Sequence, residues 1–487
     1  MSLATPLQKT FPYESAQRDT GKQLQFELFS IFWAAATLFH MANDRSFTNS
    51  LPLFILTGSA ILLLIKPSSV NRLVLLIVMQ LFEFAIKMPA VSNHWVFTAI
   101  ANLTILQAII YLAAKNKTFS INKDELLRTF APVVRIELLI LYFYVVFHKL
   151  NSDFFSPATS CATDFVVSQI SFAHLPQSPN ILALGAYFTV VVEALIPIML
   201  CFRKTRDYGV LIGLLFHCVI AYNPINGFYD FSSVIFASYI LFTTEAFAQQ
   251  TCKVYSSMLA RIRILKEKYA TFTFKKLAVI LAFAGACLAF IAVIIYLKPK
   301  DYFRDIIWSA FSLAAIGLFL VYMTKKKPAE AQIKVSFFSV PSFAFLLFPV
   351  LIFLNGFSPY LGLKTENSFA MFSNLRTEGG KTNHFIVPIS TQIFDYQKDL
   401  IEVISSSDPR LEEIAKKQQL VVCFEFKNLM SYFKPDRVEY IRGGKRYVYE
   451  KGNKATYGDL LQRNPKWQRA IMNFRNINKY DPQPCNH

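Results

Sequence analysis

Four polar strings interrupt an otherwise apolar sequence: Asn93-His94-Trp95, His148-Lys149-Leu150-Asn151-Ser152-Asp153-Phe154, Phe216-His217-Cys218, and the stretch from Asn226 to Asp230. Each lies at or near the end of a hydrophobic block, where an ionisable group is costly and needs a reason to be there. A shared pocket is one such reason. Lys149 comes first, because a lysine held in an apolar mouth can serve as a neutral amine and take a proton; the alternative is a lysine snorkelling at a helix end. His94 fits a hydrogen-bond donor to a developing anion, or a group that orients the base. Its alternative is an interfacial histidine beside Trp95 in an aromatic belt. His217 sits deeper, where an unpaired polar group costs more, and suits either a pocket or a satisfied core. His148 reads first as structural, and with Asn93, Asn151, Asp153, Asp230 and Arg376 it completes a set of further pocket candidates.

Five more charges fall inside hydrophobic blocks. Glu83 and Lys87, at i and i+4, can pair directly, whereas Arg135 and Glu137 are two residues apart and each needs a partner on another helix. Glu193 is mid-block, one turn before Pro197, with no local partner, so it too is a pocket candidate.

The elements that must position these residues are membrane helices. Of 487 residues, 54% are hydrophobic and 17% charged, with a mean hydropathy of +0.36, which a water-soluble chain could hardly bury. The apolar blocks match the length of a helix that crosses about 30 Å of hydrocarbon, and are too long for barrel strands. Spans are expected near 25–42, 50–66, 72–90, 94–114, 129–150, 181–202, 207–222, 229–248, 277–297, 303–323 and 336–355. The third is the weakest, carrying Glu83 and Lys87 and ending at Met88-Pro89. The count is therefore about 9–11.

The net charge of +18 does not point to nucleic acid, because the basic residues cluster between hydrophobic blocks. Up to the eighth span, nineteen Lys and Arg fall at one set of span ends and two, Arg45 and Lys149, at the other. That asymmetry puts residues 1–24 in the cytoplasm and the four polar strings outside. No cleavable leader is evident, so the first span is expected to double as the insertion signal. Seven cysteines show no CxxC and no zinc-like spacing, and no metal is expected. Cys161, Cys423 and Cys485 fall on the outer face, where some pair of them could form a disulfide.

After the bundle, 25–355, the composition becomes that of a small extracytoplasmic α+β domain, 356–487. Alternating Arg437–Arg442 and Lys445–Glu450 flank Gly443-Gly444 and predict a β-hairpin. Leu411–Gln419 and Tyr457–Asn476 are expected as helices, and Phe385–Ile389 as a strand. The aromatic segment from Ser358 to Arg376 suits an interfacial helix, a lid over the outer pocket, or a linker. The expected architecture is thus an all-α polytopic bundle with a small C-terminal α/β domain.

The strings "SNHWVF", "FHKLNSDFF" and "FHCVIAYNPINGFYDFSSVIFASYILF" resemble, in order and spacing, those of the vitamin K-dependent gamma-carboxylase and its bacterial relatives, the horizontally transferred transmembrane (HTTM) domain proteins. "SPYLGLKTENSFAMFSNLRTEGG" is similar to the post-membrane segment of the bacterial group. Together these strings span most of the chain from about 20 to 390. The resemblance implies that Lys149 is the catalytic lysine, in a string that reads Lys-Leu-Asp-Ala-Asp-Trp in the carboxylase and Lys149-Leu150-Asn151-Ser152-Asp153-Phe154 here. It matches His94 to the histidine of an Asn-Asn-His motif and His217 to that of a Phe-His-Cys motif. It also implies a reduced, vitamin K-like quinone with O2 and CO2 as co-substrates, and a bacterial inner-membrane location with the C-terminal domain in the periplasm. About 130 residues follow the last span, against the large propeptide-docking region of animal carboxylases. The substrate expected here is a lipid-borne one or another extracytoplasmic protein or peptide. A non-catalytic transporter or assembly factor is the rival class, against which stands the lack of inverted repeats or paired broken helices.

Overall fold

The computed structural model describes residues 12–43, 47, 49–172, 178–223, 227–268, 302–325, 337–456 and 460–485. The expected span at 277–297 lies outside them. Helices α1 (Pro12–Asn43), α2 (Leu51–Ile65), α3 (Val70–Lys87), α4 (Asn93–Asn116) and α5 (Lys123–Phe147) lead into α6 (Cys161–Phe172), α7 (Pro179–Cys201), α8 (Arg206–Ile220), α9 (Tyr229–Ile240) and α10 (Glu245–Lys268). Helix α11 (Tyr302–Lys325) packs on α8 and α10, and α12 (Leu347–Leu361) on α4 and α5. Among the described residues, six helices are long and apolar enough to cross a membrane, which makes this an integral membrane protein. They include α1, α4, α5, α7, α11 and α12.

The sequence explains the helix ends. Asn122 Oδ1 accepts the backbone N–H groups of Asp124 and Glu125 at 2.8 and 3.3 Å to start α5, and those two carboxylates sit at the positive end of its dipole. Inside the bundle, Trp33 Nε1 donates to Gln80 Oε1 and Asn102 Oδ1, both at 3.2 Å, and Gln80 Nε2 donates to Thr37 Oγ1 at 2.9 Å. This buried polar knot ties α3 to α1 and α4, so the charged third span is an integral part of the bundle although it is not among the six. The Glu83–Lys87 pair forms at 2.6 Å. Arg135 and Glu137 find partners on other elements, Arg135 donating to the carbonyls of Leu241 and Phe337, each at 2.7 Å, and Glu137 accepting from Thr104.

Several elements depart from expectation. The span expected at 229–248 is two helices, α9 and α10, bent by 110°. At the break, the carbonyls of Leu241 and Thr243 accept hydrogen bonds from Arg135 and Gln25, so the chain turns without leaving buried acceptors bare. Helix α12 continues to Leu361, through the expected boundary at 356, and stops at Gly362, whose φ of +79° terminates it in the left-handed region.

Beyond it, β1 (Leu400–Ser406), β2 (Gln419–Val422), β3 (Arg437–Arg442), β4 (Lys445–Glu450) and β5 (Ile477–Asn478) form an antiparallel sheet of order β4-β3-β1-β2-β5. Helices α13 (Pro409–Lys416), α14 (Cys423–Phe433) and α15 (Lys466–Ile471) accompany it, and Ile401, Val403, Leu411, Val421, Phe426 and Val438 form its core. The hairpin stands where the Gly443-Gly444 turn put it, with φ of +55° and +75°. The expected helix at Leu411–Gln419 ends at Lys416, because Gln419 joins β2. The one expected at Tyr457–Asn476 is helical only over Lys466–Ile471 among its described residues. Phe385–Ile389 is not a strand: the His384 Nδ1 accepts the N–H groups of Ile386 and Val387 and folds the backbone into a turn.

Candidate functional site

The contacts of His40 define one end of the bundle. From the end of α1 it stacks on Trp95 at the start of α4, with ring centroids 3.9 Å apart, and lies 3.5 Å from Glu83 near the end of α3 and 3.6 Å from Asp230 at the start of α9. Lys149, just past the end of α5, belongs to the same end. Here a cavity of about 520 Å³ opens between α4, α5, α7, α8 and α9, within the size range of small-molecule sites.

The wall is mostly apolar, with Leu141, Val145, Phe188, Val192, Leu215 and Phe231 prominent, and its polar groups are few: Asn93, His94, Lys149, Thr189, Glu193 and Asn223. Phe188, Leu215 and Val219 line it while remaining 63%, 47% and 60% exposed, so α7 and α8 separate the cavity from the bundle exterior by single side chains. Gly213 lets α8 lie close to Tyr239, whose ring a Cβ at that position would strike.

Lys149 and Glu193 meet inside this apolar lining as a direct ion pair, 5% and 8% exposed, with the ammonium 5.6 Å from the centre of the Phe154 ring. The mid-span glutamate without a local partner and the lysine at the span end are thus each other's partner, 44 residues apart. His94 is on the wall, and its Nε2 is 2.9 Å from Asp230 Oδ2 and 3.2 Å from Ser92 Oγ. Its Nδ1 is buried with no hydrogen-bond partner.

The mouth is covered by the segment that follows α12. It is neither an interfacial helix nor a loose linker: Phe369, Met371 and Phe372 line the cavity, and Asn367, Phe369, Phe372 and Asn374 all hold positive φ between 54° and 64°. Side chains of the bundle fix that costly backbone. Asn93 Oδ1 accepts the Phe369 N–H at 2.6 Å, Asn355 Nδ2 donates to the Asn367 carbonyl at 2.8 Å, and the Asn367 amide donates to the Pro89 carbonyl. Asn374 binds the Thr159 carbonyl at 2.8 Å and the Cys161 N–H at 2.9 Å. A disulfide joins Cys161 to Cys485, stapling the end of the chain beside this cover, while Cys423 is a buried free thiol.

The other residues singled out from sequence divide between the wall and its support. His217 does not line the cavity; it stands behind, with Nε2 2.8 Å from the Tyr142 hydroxyl, which in turn bonds the Tyr239 hydroxyl, and its ring against Phe231. It is therefore a support for the wall. His148 is fully buried between the Tyr360 hydroxyl (2.9 Å) and the Ser368 carbonyl (3.1 Å) and holds the cover. Asn151 donates to the carbonyls of His148 and Ser373 and accepts from the N–H groups of Asp153 and Phe154. Asp153 accepts from Asn383 and the Gln483 N–H, and Arg376 pairs with Asp481, so these two dock the C-terminal region. Asp230 lies behind His94. His40 was not among the sequence candidates; a lone histidine in the apolar block of the first span was the signal for it.

Chemically, the site sets one buried ion pair and one imidazole in the wall of an otherwise apolar cavity. Comparison with protein-family models, with curated proteins and with solved structures gives no match to this chain.

Proposed function

We propose that this chain is a membrane-embedded acid–base enzyme of the gamma-carboxylase type, in which Lys149 takes a proton from a lipid-soluble substrate. The observation that carries the reading is the Lys149–Glu193 ion pair, set with His94 on the wall of one large apolar cavity. A buried ion pair adds little to stability compared with apolar packing, so its presence in a cavity calls for a chemical reason.

A reduced quinone held against Val192, Leu215 and Phe231 would supply oxygen-dependent chemistry strong enough to remove a proton from carbon, with O2 and CO2 as co-substrates. The chain's own part is binding and proton handling. Val192, Leu215 and Phe231 receive an apolar ring or tail; Lys149, entering the step as the neutral amine, accepts the proton of an acidic hydroxyl, and the ammonium so formed is the one paired with the Glu193 carboxylate. His94, held by Asp230, lies on the same wall beside the oxyanion left behind, and Phe369 to Phe372 exclude water from above. The carbon acid is lipid-borne or belongs to an extracytoplasmic protein or peptide.

In this reading the chain lies in a bacterial inner membrane, with its N-terminus cytoplasmic and its C-terminal region periplasmic. The Cys161–Cys485 disulfide supports that side for the mouth, because such bonds persist in oxidising compartments. The test is photolabelling of the purified protein in lipid with a photoreactive naphthoquinone. Label on the cavity faces of α7 and α8, abolished by Val192→Trp, is expected; label spread over the lipid-facing surface and unchanged in Val192→Trp defeats the proposal.

A further inference from the structure

His40, His94 and Asp230 come from three different helices, and one ligand atom from each lies within 4.8 Å of the other two. We infer that this group is a binding site for one divalent first-row transition ion of the zinc or iron(II) class, set in the wall of the cavity at His94. This departs from the sequence expectation of no metal.

Two imidazole nitrogens and one carboxylate oxygen are the donor set that such ions prefer over magnesium or calcium. Donor atoms around a four-coordinate ion at ~2.1 Å lie ~3.4 Å apart. Asp230 Oδ2 is 2.9 Å from His94 Nε2 and 3.6 Å from His40 Nδ1, which brackets that edge. The surroundings are those of an orienting shell. Glu83 lies 3.5 Å from the other nitrogen of His40, Nε2, as a carboxylate does behind many metal-bound histidines, and the Trp95 ring fixes the His40 plane by stacking.

The charges argue the same way. Glu83 is offset by Lys87 at 2.6 Å, whereas among the described residues Asp230 has only the two imidazoles within ion-pair distance. A buried carboxylate requires a cation, and an ion held between it and the imidazoles supplies one. His94 lines the cavity, so the fourth position is within reach of an oxygen of water or of a cavity ligand.

The experiment uses the full chain, purified without chelator and without a histidine tag, and does not depend on any enzymatic turnover. Elemental analysis is expected to find about one zinc or iron per chain. After chelation, added Co2+ should give visible ligand-field bands that His40→Gln and Asp230→Asn reduce at least tenfold in affinity. Background metal in the wild type together with no cobalt bands on a monodisperse sample overturns the proposal. So do bands unchanged in His40→Gln. The wild-type cobalt spectrum decides the matter even if Asp230→Asn does not fold.

Discussion

Lys149→Met isolates the buried pair. It keeps most of the side-chain volume but leaves the Glu193 carboxylate 8% exposed in an apolar wall with its ammonium gone. Removing one partner of a buried, bonded pair costs about 3–5 kcal/mol, to which the contact with the Phe154 ring adds about 0.5 kcal/mol or more. Glu193→Leu alone strands the ammonium and should cost about the same. In Lys149→Met/Glu193→Leu neither charge remains, and apolar side chains fill an apolar wall, so the double variant should fall within about 1.5 kcal/mol of wild type. The coupling energy, on the order of 4 kcal/mol or more, is measurable as a double-mutant cycle by reversible SDS unfolding in mixed micelles. Single effects that simply add would mean that the two side chains do not share a charge interaction. A stable double variant without activity would separate the chemical role of the pair from any structural one.

Four other outcomes follow from the geometry. Lys364, 7% exposed beyond the end of α12, is pushed down to about 8 by burial, against 10.5 for a free lysine. The unfolded chain therefore binds more protons between those values, the burial penalty is fully present below pH 8, and stability should rise by about 3 kcal/mol from pH 8 to 10.5. Lys364→Met should remove that rise in thermal melts across the range. Non-reduced protein should run faster than reduced protein on a denaturing gel, with Cys161→Ser abolishing the difference and exposed Cys201 labelled ahead of buried Cys218 and Cys423 by maleimide. Because His94 is on the wall and His217 behind it, His94→Ala should weaken ligand binding to the cavity several times more than His217→Ala, read as ligand dissociation constants. Asn93→Ala removes the acceptor for the Phe369 N–H and should raise protease cleavage within 362–376, while an unchanged digest would contradict a fixed cover.

Much of the fold follows from local chemistry. The Gly443-Gly444 turn and the i,i+4 spacing of Glu83 and Lys87 each act over a few residues, and both stand as expected; of the 9–11 expected spans, six are helices long and apolar enough to cross a membrane among the described residues. The opposite facing of Arg135 and Glu137 sent both to other elements. What was not legible depends on distant neighbours. Nothing near Glu193 in the chain points to Lys149, and a histidine at the depth of His217 can face the cavity or Tyr142 according to how α8 is rotated. Positive φ at Phe369 and Phe372 is disfavoured locally and is imposed by Asn93, Asn355 and the packing of the cover. Phe385–Ile389 has strand-like composition, but the His384 ring takes its N–H groups first.

The most direct measurement of the central claim is oxygen consumption by the purified protein in lipid, driven by a reduced naphthoquinone and corrected for spontaneous oxidation. Wild-type protein should consume oxygen in proportion to the quinol, and Lys149→Ala, lacking the proposed base on the cavity wall, should be slower by at least about 100-fold. Equal rates in the two proteins would remove Lys149 from the chemistry and contradict the account.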